Sequence, residues 1–180
     1  MTAPQRTGTI KGLVDAHYES LYRYAYRLSG SAADAEDLTQ EAFCKAQAGL
    51  AQLRNPGCVK AWLFSILRNA YLRRLRRDQQ RRFVSLDEIG DVSEALPDPP
   101  PAVEPGQLQA ALDELPEAFR SPLILFYFED FSYRDIAEHL DLPLGTVMSR
   151  LARAKAYLRE RLLRPAETPA PGRRRATDGL

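Results

Sequence analysis

The sequence predicts an all-α protein: two small helical domains joined by a flexible acidic, proline-rich linker, with a helix-turn-helix in the C-terminal domain. Three observations lead there. Apolar residues recur at three- and four-residue steps in both halves, and no segment alternates with period two for long enough to make a strand. Five prolines fall within residues 97–105, where missing N–H groups and fixed φ work against helix. The charges are blocked: Arg68 to Arg82 carries seven arginines against Asp78, Phe83 to Glu117 carries nine acids and no Lys or Arg, and Thr146 to Arg164 carries six bases against Glu160.

With 180 residues, 44% of them hydrophobic and 27% charged, the chain has room for one domain or two small ones. Wholesale disorder, collagen-like repeats and a disulfide-stapled miniprotein are excluded. Cys44, Cys58, His17 and His139 are scattered, so neither a closed zinc site nor any other metal or cofactor is expected. The two thiols read as buried structural cysteines in a reducing compartment. No apolar run approaches the roughly 20 residues that span a bilayer, and the first residues lack a secretory stretch. The expectation is a cytoplasmic protein without membrane insertion.

The first domain is placed at 10–82. Val14, Tyr18, Leu21, Tyr22, Ala25 and Leu28 form its first stripe, ended by Gly30. Ser31 with Asp34 resembles a capping box opening a second helix, which turns Ala35, Leu38, Ala42 and Ala46 inward. Asn55-Pro56 signals a third helix with Pro in its first turn, burying Val59, Leu63, Ile66 and Ala70. Residues 83–106 form the linker, 107–164 the second domain and 165–180 a disordered tail.

In the second domain, Leu108–Leu115 and Glu117–Phe128 read as helices divided at Pro116, with Pro122 expected to kink the second or move its start. Ser132-Tyr133-Arg134-Asp135 is another capping-box pattern, opening a short helix with Ile136, Ala137 and Leu140 inward. Asp141-Leu142-Pro143 makes a turn, and a basic helix begins at Leu144. That order is a helix-turn-helix. Leu142 and Val147 pack beneath the crossing, leaving Thr146, Met148, Ser149, Arg150 and Arg153 at the front, suited to the major groove. Met148 cannot hydrogen-bond a base but fits a thymine methyl.

In the first domain, Trp62, Ser65, Asn69 and Arg73 line one side of the third helix. Trp62, Phe64 and Tyr71 interleave with Arg68, Arg73, Arg74, Arg76 and Arg77, a mixture suited to stacking exposed bases and holding phosphates. The loop Leu53–Cys58 lies against this helix as a wall for one flipped base, with Asn69 offering a donor and an acceptor. Core burial of Trp62 and Tyr71 is the competing expectation for those rings. On the second helix Asp34, Asp37, Gln40, Glu41 and Lys45 share one side, either a solvated face or a dock for a basic partner helix.

The stretches DAEDLTQEAFCKA, VKAWLFSILRNAYLRRLRR and FSYRDIAEHLDLPLGTVMSRLARAKAYL together resemble the extracytoplasmic-function sigma factors of bacterial RNA polymerase. The resemblance covers about Leu13–Arg82 and Leu108–Leu163. It implies a factor that binds core polymerase, directs it to promoters and helps melt them. Asp34, Asp37, Gln40 and Glu41 would dock on the coiled coil of the largest polymerase subunit, with the flap as a second contact. Arg54, Asn55, Lys60, Trp62, Ser65, Asn69, Arg73, Arg74, Arg76 and Arg77 would engage the minus-ten element. Arg134, Thr146, Met148, Ser149, Arg150 and Arg153 would read the minus-thirty-five element, Met148 standing where many members carry Lys or Arg. An anti-sigma protein is the further partner the resemblance implies.

Two other readings remain in play. A free-standing helix-turn-helix regulator explains the second domain but leaves the acidic helix and the aromatic-arginine helix without a role. A metal-dependent nuclease built on Asp34, Asp37 and Glu41 lacks a second element to complete the coordination sphere.

Overall fold

A computed structural model describes residues 9–53, 56–79 and 104–163. They form seven α-helices: α1 (Ile10–Ser29), α2 (Ala32–Gly49), α3 (Val59–Gln79), α4 (Pro105–Glu114), α5 (Glu117–Phe128), α6 (Tyr133–Leu140) and α7 (Leu144–Leu163), with no strand among the described residues. The expectations for most of the linker, for the tail, and for Arg54 and Asn55 fall outside them. No helix here is long and apolar enough to cross a membrane.

Local chemistry sets the helix ends. Gly30 closes α1 in the left-handed region at φ 69°, its N–H donating to the Tyr26 carbonyl. Only glycine takes that backbone at no steric cost. Ser31 caps α2 by accepting from the Asp34 N–H at 3.3 Å, but the Asp34 carboxylate turns to Arg74, leaving half of the expected box. A 3-10 turn at Pro56–Cys58 precedes α3. Helix α4 starts at Pro105, three residues before the expected position. A proline at the first helical position gives up an N–H that has no partner there anyway, so the linker's last proline begins a helix instead of excluding one.

Pro122 neither breaks α5 nor moves its start. Its missing N–H would have served the Ala118 carbonyl, and that oxygen instead accepts from Arg150 of α7 at 3.4 Å. A tertiary donor thus replaces the lost helical one.

The apolar stripes are wider than the sequence suggested. Leu13, Leu21, Tyr24, Ala25 and Leu28 are all buried on α1, because that helix packs against α2, α3, α4 and α5 at once. Tyr18, expected inside, is 47% exposed. On α3, Phe64, Leu67 and Tyr71 join Val59, Leu63 and Ala70 in the core, while Ile66 is half-buried. Cys44 and Cys58, expected to be buried, are both exposed free thiols. Cys44 sits off the Ala42/Ala46 stripe, about 100° per residue around the helix.

The two helical domains also pack against each other, and their buried residues form one continuous core. Phe64 of α3 sits 4.9 Å from the Tyr24 ring and 5.4 Å from the Phe131 ring, centroid to centroid. Full burial of a ring of that size contributes about 2–3 kcal/mol. Around it, Arg120 donates to the Leu28 carbonyl at 2.9 Å, and the Arg27 guanidinium lies 3.7 Å over the Phe128 ring.

Candidate nucleic-acid interface

Helix α6 is held by a complete capping box. The Ser132 hydroxyl accepts from the Asp135 N–H at 3.2 Å, and the Asp135 carboxylate accepts from the Ser132 N–H at 3.0 Å. The Ser132 hydroxyl, donating to the Asp135 carboxylate at 2.7 Å, and then the Ser132 N–H keep that carboxyl below its usual range. Asp141 ends the helix in the left-handed region at φ 53°, where Asn and Asp are the tolerated side-chain-bearing residues. The Leu142 N–H returns to the Ala137 carbonyl at 2.9 Å. Val147 is fully buried and Leu142 half-buried beneath the crossing, as the pattern required.

The front of α7 is open. Met148 is 51% exposed, Ser149 and Arg153 are exposed, Thr146 is half-buried, and Arg134 is exposed on α6. The Ser149 hydroxyl donates to the Thr146 carbonyl. Arg150 departs from the expected set, being half-buried and turned inward to the Ala118 carbonyl that Pro122 leaves unserved. That bond ties its guanidinium to α5.

Helix α3 divides differently. Asn69, Arg73, Arg76 and Arg77 are exposed. Trp62 is half-buried, its ring against Gly49, where an added Cβ would lie 3.1 Å from it. Phe64 and Tyr71 are core residues with no face for a base, Phe64 packing on Tyr24 of α1. Lys60, Ser65 and Arg68 are engaged by the other half. Lys60 donates to the Glu129 carbonyl, Ser65 lies 3.1 Å from His139 Nδ1, and Arg68 reaches Glu117 Oε1 at 2.8 Å.

Two surfaces that the sequence kept apart meet in space. Arg74 contacts Asp34 at 2.6 Å and Asp37 at 3.7 Å, and Arg73 contacts Glu41 at 3.1 Å. Glu41 also binds Lys45. Lys45, then Arg73, holds the Glu41 carboxyl below its usual range. The acidic face of α2 and the arginines of α3 therefore form one mixed-charge ridge, with Gln40 exposed beside it. Among the described residues no group of His, Cys, Asp or Glu is arranged to hold a metal ion, and the acids of the nuclease reading are engaged by cations.

Sequence reasoning did not find the partners at the junction: Glu117, Arg120, Glu129 and His139. Burial raises the Glu129 carboxyl to about 7, and its Oε1 has no hydrogen-bond partner among the described residues. Burial, with the Arg68 charge, lowers the His139 imidazole to about 4. Nothing local marks these residues, because each is defined by a neighbour many tens of positions away.

Comparison with known proteins follows the same division. Residues 13–82 match the family model for Sigma-70 region 2, and residues 106–158 match Sigma-70, region 4. The chain is 39% identical over 163 residues to the ECF RNA polymerase sigma factor SigE of Mycolicibacterium smegmatis, covering 88% of this chain and 63% of that protein. It is 36% identical to the ECF RNA polymerase sigma factor EcfG of Rhodopseudomonas palustris, covering 84% of each. Its fold is similar to the sigma factor RpoE of Bartonella quintana, solved with the anti-sigma factor NepR, at TM-score 0.68 and 29% identity over 84% of this chain and 95% of that one. Both helical halves thus find their counterparts in the same order in one group of proteins, and the chain belongs to the extracytoplasmic-function sigma factors of RNA polymerase.

Proposed function

We propose that this sigma factor holds a promoter at two separated places while riding on core polymerase, with the residue roles that its two interfaces suggest. The open front of α7, through Arg134, Thr146, Met148, Ser149 and Arg153, reads the upstream element as duplex. Phosphate neutralisation supplies most of the affinity there, and base edges supply selectivity. The exposed row on α3, led by Asn69 and Arg73 beside Trp62, captures an unstacked base and its phosphates, which offsets the few kcal/mol (roughly) of unstacking. The acidic side of α2 (Asp37, Gln40 and Glu41) docks on a basic or mixed-charge helix of the polymerase. Bond-making belongs to the polymerase, and this chain acts as an initiation factor. An anti-sigma partner is part of the proposal, supported by the likeness to RpoE, which was solved with one.

The observation that carries this reading is the coexistence, in one chain, of a helix-turn-helix whose first helix is fully capped and whose second has an exposed front, and another, arginine-flanked helix beside an acidic one. Run-off transcription with core enzyme on a library of promoter sequences tests it. Defined start sites sharing two sequence blocks are expected. A chain that elutes apart from core polymerase on gel filtration, yet binds duplex DNA, would instead be a free-standing regulator.

A further inference from the structure

Helix α7 carries an apolar line that its own packing does not use. Leu144, Met148 and Ala152 stand four residues apart and so share one side of the helix. All three are exposed, Leu144 at 42% and Met148 at 51%. Val147, Leu151, Ala154 and Leu158 are the residues through which α7 enters the core. The donors next to Met148 in sequence are directed elsewhere: the Ser149 hydroxyl donates to the Thr146 carbonyl at 3.0 Å, and Arg150 to the Ala118 carbonyl at 3.4 Å. Lys155, also exposed, continues the same side one turn beyond Ala152, and α7 has no acidic residue before Glu160. An apolar line running into cations suits the edge of a polyanion better than a protein groove.

Among the base edges of the major groove, the C5-methyl of thymine is the one apolar group on offer. A methionine side chain, unbranched and polarisable, adapts its shape to such a group. We infer that Met148, with Leu144 and Ala152 on either side, selects thymine in the upstream element by packing on its C5-methyl. The contact gives specificity without a hydrogen bond. Cytosine lacks the methyl, and a purine edge would lose its groove water to a side chain that returns no hydrogen bond. Selectivity at this base pair therefore comes from burial of one methyl, while the cations of α6 and α7 supply affinity that is blind to sequence.

This inference rests on the proposed upstream-element role of α7, and its test separates the two. The full chain, reconstituted with core polymerase, first selects its upstream element from a promoter library. Each thymine of that element, on either strand, is then replaced singly by deoxyuridine, which removes only the methyl, and the Kd is measured at one fixed salt concentration. At one thymine or more the parent is expected to lose about fourfold, and Met148→Ala less than about 1.5-fold. Arg134→Ala, which removes an exposed cation of α6, should weaken binding to both DNAs and keep their ratio. An element without thymine, or one whose thymines all tolerate deoxyuridine, overturns the methyl contact and leaves the upstream-element role standing. A methyl sensitivity that Met148→Ala retains overturns it as well, as does a ratio that Arg134→Ala shifts equally. Weaker association of Met148→Ala with core polymerase, at unchanged methyl sensitivity, would place the apolar line on the polymerase instead. A library that yields no upstream element removes that role and the inference with it.

Discussion

Helices α3 and α7 carry the most arginines of the described helices, and they differ in what lies against them. The front of α7 is exposed at Met148, Ser149 and Arg153, while Arg150 is half-buried and donates to the Ala118 carbonyl. The corresponding front of α3 is covered by the opposite domain at Lys60, Ser65 and Arg68, and exposed at Asn69 and at Arg73, which pairs with Glu41 of α2. Basic side chains at helical spacing are therefore no measure of availability. What decides it is whether a carboxylate or carbonyl elsewhere in the chain has already met them.

The heaviest blow to this comparison comes from the core. Phe64→Ala should cost about 3–5 kcal/mol in chemical denaturation. Because its ring touches both halves, amide exchange should quicken in α6 as well as in α3. Leu151→Ala, buried within the second half, should cost about 2–5 kcal/mol and leave α2 and α3 protected. Unchanged exchange in α6 after Phe64→Ala would mean that the halves are not coupled through it.

Titration of the junction sharpens the picture next. The folded chain keeps a proton on Glu129 up to about 7, while the ordinary value is 4.5. That contribution is complete below the ordinary value and is lost as pH rises to about 7. His139 is held neutral down to about 4 against an ordinary 6.5, so its contribution is complete above 6.5 and is lost as pH falls through that window. The two trends oppose one another. Glu129→Gln removes the first, and stability by urea denaturation should then climb steadily between pH 4 and 6.5, more steeply than in the parent chain. A variant profile as flat as the parent's would contradict the burial of one group or the other.

Single-residue DNA contacts should be smaller still. Asn69→Ala is expected to reduce promoter opening about tenfold while leaving duplex binding nearly intact, the loss of one base contact being worth 1–3 kcal/mol (roughly). Arg153→Ala should do the reverse, weakening upstream-element binding and lowering the salt slope by about one. Permanganate footprinting and a salt-titrated binding assay separate the two. Equal losses in both assays for Asn69→Ala would count against a flipped-base role. The smallest effect belongs to the mixed-charge ridge. Glu41→Ala, at an exposed ion pair, should change stability by less than about 0.5 kcal/mol yet weaken association with core polymerase on gel filtration.

Much of this molecule could be read along the chain because it depends on residues a few positions apart. Gly30 at the end of α1, the Ser132–Asp135 box, the buried Ala35, Leu38, Ala42 and Ala46, and Val147 under the crossing are all set within one or two helical turns. The helix-turn-helix belongs to that class, and so does the row from Trp62 to Arg73. Tertiary structure alone decided that Phe64 and Tyr71 are core, that Cys44 and Cys58 face outward, that Arg150 serves a carbonyl orphaned by Pro122, and that Arg68 is spent on Glu117. Each of those outcomes depends on a neighbour distant in sequence, and hydrophobic periodicity reports which side of a helix is covered without reporting by what. The same limit holds for charge: a block of arginines announces an attraction to negative oxygen, but whether that oxygen belongs to a phosphate or to the chain's own glutamate is settled only when the helices pack.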